Sequence, residues 1–192
     1  MEPHEADALL AGAVPRHPGA WADLGAGDGT FTRALARRLG AGSRIYAVDR
    51  EPGGLAALAR SSDVSGVAVI PLVADFTRPL TLPGTAPAGL DGLLLANALH
   101  FVRQPDAVLA RLVPMLRPGG RVVIVEYDGR RPSRWVPHPI PAAALPELAA
   151  AAGLAIPVIT GTRPSAYGGT IYVAVAERAP TAGGDPAVPR EV

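Results

Sequence analysis

Ala20-Trp21-Ala22-Asp23-Leu24-Gly25-Ala26-Gly27-Asp28-Gly29-Thr30-Phe31 is a short apolar run that breaks into a glycine loop and then into a helix. Ala20 to Leu24 reads as a strand, and Phe31, Leu35 and Leu39 fall at i, i+4 and i+8 on one helical face. A strand, a glycine turn and a helix N-terminus aim unpaired backbone N–H groups and the positive end of a helix dipole at one point. A negatively charged or strongly accepting ligand group is expected there. Gly25 and Gly27 permit positive φ and let the backbone approach that ligand closely.

Outward from this loop, strand and helix patterns alternate. Gly40 and Gly42 stop the helix, with Arg33, Arg37 and Arg38 expected on its solvated side. Arg44 to Asp49 follows as a second strand with a carboxylate at its end. A weaker helix, 55–60, leads to a third strand, 67–74, closed by Asp75-Phe76. After a Pro/Gly loop, Leu90 to Ala96 is the most apolar run, with Asn97 just beyond it. Gln104-Pro105-Asp106 opens a helix whose apolar face is Val108, Leu109, Leu112, Met115 and Leu116, and Pro114 either kinks it or tightens its final turn. Pro118-Gly119-Gly120 is expected to turn the chain into a fifth strand, 121–127. A short helix, 142–152, precedes two strands, 154–160 and 170–176, with no helix between them, so this pair is expected to be antiparallel. Upstream, 9–14 reads as the end of a leading helix stopped by Pro15 and Pro18-Gly19. The pattern gives an α/β fold with a mostly parallel sheet and helices on both faces. Residues 1–178 are expected to form a single domain and 179–192 a disordered tail.

The composition bounds the chemistry. At 192 residues, 48% hydrophobic and 18% charged, the chain suits one domain whose central strands are buried. With 18 basic against 17 acidic side chains it carries no field that would gather nucleic acid or an anionic membrane, and neither is an expected partner. Every cation is Arg; without Lys there is no Schiff base and no G-K-[ST] phosphate loop. Without Cys there is no thiol nucleophile, disulfide or zinc-thiolate site. The four His are scattered with no H-x-x-x-H pair, so no metal is expected, and none of the Ser sits in G-x-S-x-G. No stretch approaches the ~18 consecutive apolar residues of a membrane span. Residues 1–13 lack a basic segment followed by an apolar core, so a cytoplasmic location is expected.

Two cofactor classes compete for the loop. The nicotinamide fingerprint G-x-G-x-x-G needs Gly where this chain has Thr30, which disfavours a dinucleotide. Asp49, about 20 residues on, is placed to accept hydrogen bonds from both hydroxyls of a ribose, a feature common to both classes. At these residues the chain resembles the class I S-adenosylmethionine-dependent methyltransferases. Asp23-x-Gly25-x-Gly27-x-Gly29 is similar to their first motif, Val48-Asp49 to their ribose-binding acid and Ala74-Asp75-Phe76 to their adenine-flanking segment. Leu95-Ala96-Asn97-Ala98-Leu99-His100 resembles their fourth-strand motif, and Leu116-Arg117-Pro118-Gly119-Gly120 the turn before their fifth strand.

The resemblance implies a Rossmann-like seven-stranded sheet of order 3-2-1-4-5-7-6 with the seventh strand antiparallel. It implies S-adenosylmethionine as cofactor, with Gly25, Ala26 and Gly27 against its methionine part and Asp23 holding the amino group. Asp49, with Arg50 beside it, would hold the ribose, Asp75 and Phe76 the adenine, and Asn97 would lie near the sulfonium. The expected reaction is in-line methyl transfer to a small-molecule acceptor, which needs positioning within about 3–3.5 Å but no obligatory base. The alternatives are a non-catalytic cofactor-binding subunit supporting a partner enzyme and, behind it, a nicotinamide-dependent oxidoreductase.

For the acceptor side the sequence offers candidates and leaves the catalytic group unassigned. His100 and His138 are the candidate bases; His100 either reaches the acceptor or bonds the backbone. Trp135 and His138, in a Pro-stiffened loop, either wall an acceptor pocket or, for Trp135, join the core. Glu126, Tyr127 and Asp128 end the fifth strand, where ligands bind in open α/β sheets, and Glu126 and Tyr127 are expected to touch the acceptor. Arg130, Arg131, Arg134 and Arg163 either gather into a basic patch or stay solvated. Acceptor identity, the methylated atom and the oligomeric state are not legible.

Overall fold

The strand that carries the glycine loop, β1 (Ala20–Leu24), lies inside the sheet, paired in parallel with β2 (Arg44–Asp49) on one side and β4 (Leu90–Ala96) on the other. The computed structural model describes residues 2–61, 66–86 and 88–179. Beyond β2 lies β3 (Ala68–Val73), and beyond β4 come β5 (Leu116–Asp128), β7 (Thr170–Glu177) and β6 (Val158–Pro164). The order is β3-β2-β1-β4-β5-β7-β6, with β7 antiparallel to both its neighbours, as the resemblance implies. Strand order reverses between β1 and β4, which opens a crevice at their carboxyl ends.

Both faces of the sheet are covered, so the central strands are apolar on both faces and not only at alternate positions, Asp23 of β1 and Asp91 of β4 excepted. On one face Trp21, Ile45, Leu94, Val123 and Val125 pack under α1 (Pro3–Leu10) and α2 (Thr30–Leu39). Next to them Ala47 meets Leu55 and Leu58 of α3 (Pro52–Ser61). On the other face Tyr46, Val48, Leu93, Leu95 and Ile124 pack under α4 (Pro105–Leu112) and α5 (Leu145–Ala151). Pro114 ends α4 in a 3-10 turn, Val113–Met115.

Three local expectations change. The turn expected at Pro118-Gly119-Gly120 is a bulge inside β5: the ladder pairs Leu90 with Leu116, then Gly92 with Arg121, so residues 117–120 lie opposite Asp91 alone. Arg117 Nε donates to Asp91 Oδ1 at 2.6 Å and holds the bulge to the neighbouring strand. The first hairpin strand begins later than its apolar pattern, because Pro157 lacks the N–H that would continue the ladder. Arg37 and Arg38 do not simply face water: Arg37 pairs with Asp7 of α1 at 2.9 Å, and Arg38 donates to the carbonyls of Val14 and Ala11. These bonds cap the end of the leading segment and tie it to α2. The expected tail lies, from 180 onward, outside the described residues. No helix among the described residues is long and apolar enough to cross a membrane.

Candidate functional site

At the end of β1 the N–H groups of Gly25 and Ala26 both donate to the carbonyl of Val48, at 2.8 and 3.0 Å, which bends the chain toward β2. Gly25, Gly27 and Gly29 have φ of 84°, 55° and 81°, all in the left-handed region. A Cβ on Gly25 would lie 2.7 Å from that of Ala98, whereas one on Gly27 would enter open space. Two supports of this loop carry no signal in the sequence pattern. Asp28 Oδ1 accepts from Thr30 N and Oγ1, at 3.0 and 2.8 Å, and so braces the turn that leads into α2. Gly54 of α3 packs so near that a Cβ there would strike the Gly27 carbonyl.

The loop forms one wall of a cleft of about 420 Å³ at the carboxyl ends of β1, β2, β3 and β4, a size suited to a small ligand. Gly25 and Gly27 line it with Asp49 and Arg50 on one side, Asp75 and Phe76 on another, and Asn97 opposite. Asp49 Oδ2 accepts the Gly27 N–H at 2.8 Å and Oδ1 accepts the Glu51 N–H at 2.9 Å. Each oxygen keeps a further lone pair for a hydroxyl. Asp75 Oδ1 accepts from Thr77 Oγ1 at 2.6 Å and Thr77 N at 2.8 Å. The Thr77 hydroxyl, opposed by partial burial, holds the Asp75 carboxyl below its ordinary range. Asp75 therefore fixes the turn that presents Phe76 to the cleft. Ala26 and Asp23 are buried and do not line it.

Behind the loop two buried oxygens have no hydrogen-bond partner among the described residues, Asp23 Oδ1 and Asn97 Oδ1. Asp23 Oδ2 accepts from Thr32 Oγ1 at 2.6 Å. Burial pushes this carboxyl up to about 7, against the Thr32 bond and with the charges of Asp49 and Asp28 adding to the rise. Asn97 sits at φ 53°, its N–H donating to the Val125 carbonyl at 2.8 Å. An unpartnered buried acceptor costs about 1–3 kcal/mol, and such groups persist where a ligand supplies the donor. Two orphaned acceptors at the ends of adjacent strands suit an ammonium, with its three N–H bonds. The donor set, a ribose-ready carboxylate, an aromatic ring and two acceptors for an amino group, fits S-adenosylmethionine.

A second cleft, of about 570 Å³, shares Asn97 and Phe101 with the first. His100, Tyr127, Arg130, Trp135, Val136 and Tyr167 complete its lining. His100 stands on a 3-10 turn, Leu99–Phe101, and is buried. Its ring does not bond the backbone: Nδ1 lies 2.7 Å from Glu126 Oε2, while the His100 backbone N–H donates to Oε1 at 3.1 Å. The carboxylate selects the tautomer with the proton on Nδ1 and leaves the Nε2 lone pair free. Glu126, expected against the acceptor, is fully buried and holds His100 instead. Trp135 is 68% exposed, so it is wall and not core.

His138 is exposed and lines neither cleft; its backbone N–H donates to the His100 carbonyl at 2.9 Å. Three of the four arginines have partners of their own. Arg130 lies 5.0 Å over the Tyr127 ring and Arg134 4.7 Å over Trp135, while Arg163 is paired with Glu5 of α1 at 2.5 Å. Asp128 Oδ1 accepts the Ala142 N–H at 3.2 Å and fixes the start of the turn before α5. Phe101 and Tyr167 were not singled out in the sequence. Phe101 was readable as an aromatic next to His100, whereas Tyr167 sits in a hairpin loop with no periodic signal.

A family model described as a methyltransferase domain matches residues 22–122. Among solved structures, the 1,6-didemethyltoxoflavin-N1-methyltransferase of Burkholderia thailandensis, with 1,6-didemethyltoxoflavin and S-adenosylhomocysteine bound, is similar at a TM-score of 0.69. The two are 27% identical, the match covering 92% of this chain and 78% of that one. The highly reducing polyketide synthase PKS6 of Gibberella zeae is 31% identical over 122 residues, 60% of this chain and 4% of that protein. The biotin biosynthesis bifunctional protein BioCD of Bordetella avium is 31% identical over 137 residues, 68% of this chain and 26% of that one. The chain thus spans a minor part of these two curated relatives.

Proposed function

The chain belongs to the class I S-adenosylmethionine-dependent methyltransferases and uses S-adenosylmethionine, and we propose that it methylates a small molecule seated in the second cleft. The observation that carries this reading is the shared border: Asn97 and Phe101 line both clefts, so a ligand in one meets a ligand in the other there. S-adenosylmethionine, when bound, supplies a methyl group on a sulfonium sulfur. Asp49 and Arg50 hold its ribose, Asp75 and Phe76 its adenine, and Gly25, Gly27 and Asn97 its methionine end, with the Asp23 carboxyl behind them. The chain's own contribution is then to orient the acceptor along the line of displacement and to keep water out, which requires closed walls more than reactive groups.

Residues 1–178 act as one methyltransferase unit in this reading. Supporting it, β1 to β7 form one sheet and no strand pairs outside it among the described residues. A small acceptor is favoured by the size of the second cleft, which lies within the usual range for small-molecule sites. Titration calorimetry of the wild-type chain tests the cofactor half: S-adenosylmethionine and S-adenosylhomocysteine bind, and NAD does not. Binding of NAD without either adenosyl ligand would overturn the reading.

A further inference from the structure

We infer that the acceptor is a planar aromatic molecule carrying a weakly acidic O–H or N–H, and that His100 Nε2, oriented by Glu126, takes its proton. The inference rests on the second cleft being the acceptor site. Of the chain's three Phe, two Trp and four Tyr, the side chains of Phe101, Tyr127, Trp135 and Tyr167 line this one cleft. Trp135 and Tyr167 are 68% and 78% exposed, and Phe101 stands among the exposed large hydrophobics with them. Rings held open to water around a cavity offer flat faces, and flat faces pair best with another flat π-system. An aliphatic acceptor would forgo that ring-on-ring contact.

The polar side of the cleft is equally specific. His100 and Glu126 are both buried, and Glu126 places both its oxygens on His100, one on the ring and one on the backbone N–H. A carboxylate behind the imidazole is the arrangement that fixes a ring as a proton acceptor through its far nitrogen. The other titratable or charged groups facing this ring are Tyr127, whose ring centre lies 5.8 Å away, Arg130 beyond it, and Tyr167 in the same cleft. Desolvation and the Glu126 charge raise the Tyr127 hydroxyl, so it stays protonated and does not compete as a base. Arg130, which also lines the cleft, adds a fixed positive charge there that favours an acceptor anion.

The proton passes from the acceptor heteroatom to Nε2, giving an imidazolium whose Nδ1–H remains on the Glu126 carboxylate. The heteroatom's freed electron pair forms the bond to the methyl carbon, the old bond pair stays on sulfur, and the imidazolium returns its proton to solvent. Glu126 is a positioning residue in this scheme, since it touches neither ligand.

The test uses the full chain with S-adenosylhomocysteine bound and three planar probes, 7-hydroxycoumarin, 4-nitrophenol and 8-hydroxyquinoline, against cyclohexanol. At least one planar probe binds and quenches tryptophan fluorescence, and cyclohexanol does not. Trp135→Ala and Tyr167→Ala each weaken the planar probe about fivefold or more, while S-adenosylhomocysteine affinity holds. The absorbance band of the bound probe anion appears about one pH unit lower than in free solution with the wild-type chain. That shift is absent in His100→Gln and reduced in Glu126→Gln. Failure of all planar probes, equal binding of cyclohexanol, or an unchanged anion band in a His100→Gln chain that still binds S-adenosylhomocysteine would overturn the inference. Loss of S-adenosylhomocysteine binding by the wild-type chain would instead overturn the cofactor reading on which it rests.

Discussion

Asp49 Oδ2 accepts the backbone N–H of Gly27 at 2.8 Å, so the carboxylate that ends β2 also braces the glycine loop that ends β1. In the proposed site this side chain has two tasks, holding the loop in shape and presenting acceptors to a ribose. Asp49→Ala removes both. Each charge-assisted hydrogen bond is worth about 1.5–3 kcal/mol, so the loss of S-adenosylmethionine affinity is about 100-fold or more. Asp49 is half-buried at the rim and not in the core, so the chain stays folded. Calorimetry with a parallel thermal melt checks both halves; unchanged affinity would remove Asp49 from the site.

The glycines of the loop separate by what surrounds them. Gly27 has φ 55° with open space where its side chain would go, and Gly25 has φ 84° with Ala98 in the way. A valine at 27 therefore projects into the cleft, and the left-handed backbone adds about 1–2 kcal/mol of strain. Gly27→Val abolishes cofactor binding with a modest drop in Tm. Gly25→Ala adds a clash inside the fold and lowers Tm further. Equal binding by wild-type and Gly27→Val would show that the cofactor lies elsewhere.

These consequences were legible in the sequence to different depths. β2 and β4 have the boundaries that their apolar runs suggest, because strands buried on both faces carry the signal in every residue. The β5 bulge was not legible, since residues 117–120 read as an ordinary Pro/Gly turn and the Arg117–Asp91 bond that keeps them in the ladder is tertiary. The second cleft was the least readable. His100 and Glu126 stand 26 residues apart, and their pairing depends on β4 and β5 being neighbours. Nothing local marks Glu126 as buried behind a histidine, nor the hairpin loop as the source of Tyr167. Where a residue points is decided by the neighbouring strand, and periodicity does not carry that information.

The leading helix is fastened by a charge. Arg163 of β6 hydrogen-bonds Glu5, whose other oxygen accepts the Glu2 N–H at 2.9 Å. The Arg163 bond, helped by Glu2, holds the Glu5 carboxyl down at about 2 against an ordinary 4.5. A carboxyl depressed in the folded state stabilises it above the ordinary value and stops doing so as pH falls through the depressed one. Wild-type Tm therefore declines as pH drops from about 4.5 to about 2, and Arg163→Ala shows a shallower decline over that window. Acid melts of the two chains decide it; parallel slopes would show that the pair is solvent-screened and idle.

Asp23 carries the opposite sign and connects folding to ligand. Its carboxyl is pushed up to about 7 from an ordinary 3.8, mainly by burial, with Oδ1 lacking a partner. Between those values the native chain holds a proton that the unfolded chain has released, so stability falls as pH rises through the window. In the proposed site the cofactor ammonium lies near Oδ1 and reverses the preference, since a cation favours the ionised form. Near neutral pH, binding must then expel a proton from Asp23. Calorimetry of S-adenosylmethionine in buffers of different ionisation enthalpy reads that release directly, and affinity rises from pH 6 to pH 8 as the carboxylate forms. Asp23→Asn keeps the shape but has no proton to lose and turns an N–H donor toward the ammonium. It therefore flattens the pH dependence of stability, abolishes the buffer-dependent heat and weakens binding about tenfold or more. A wild-type binding heat that is the same in every buffer would disconnect Asp23 from the cofactor.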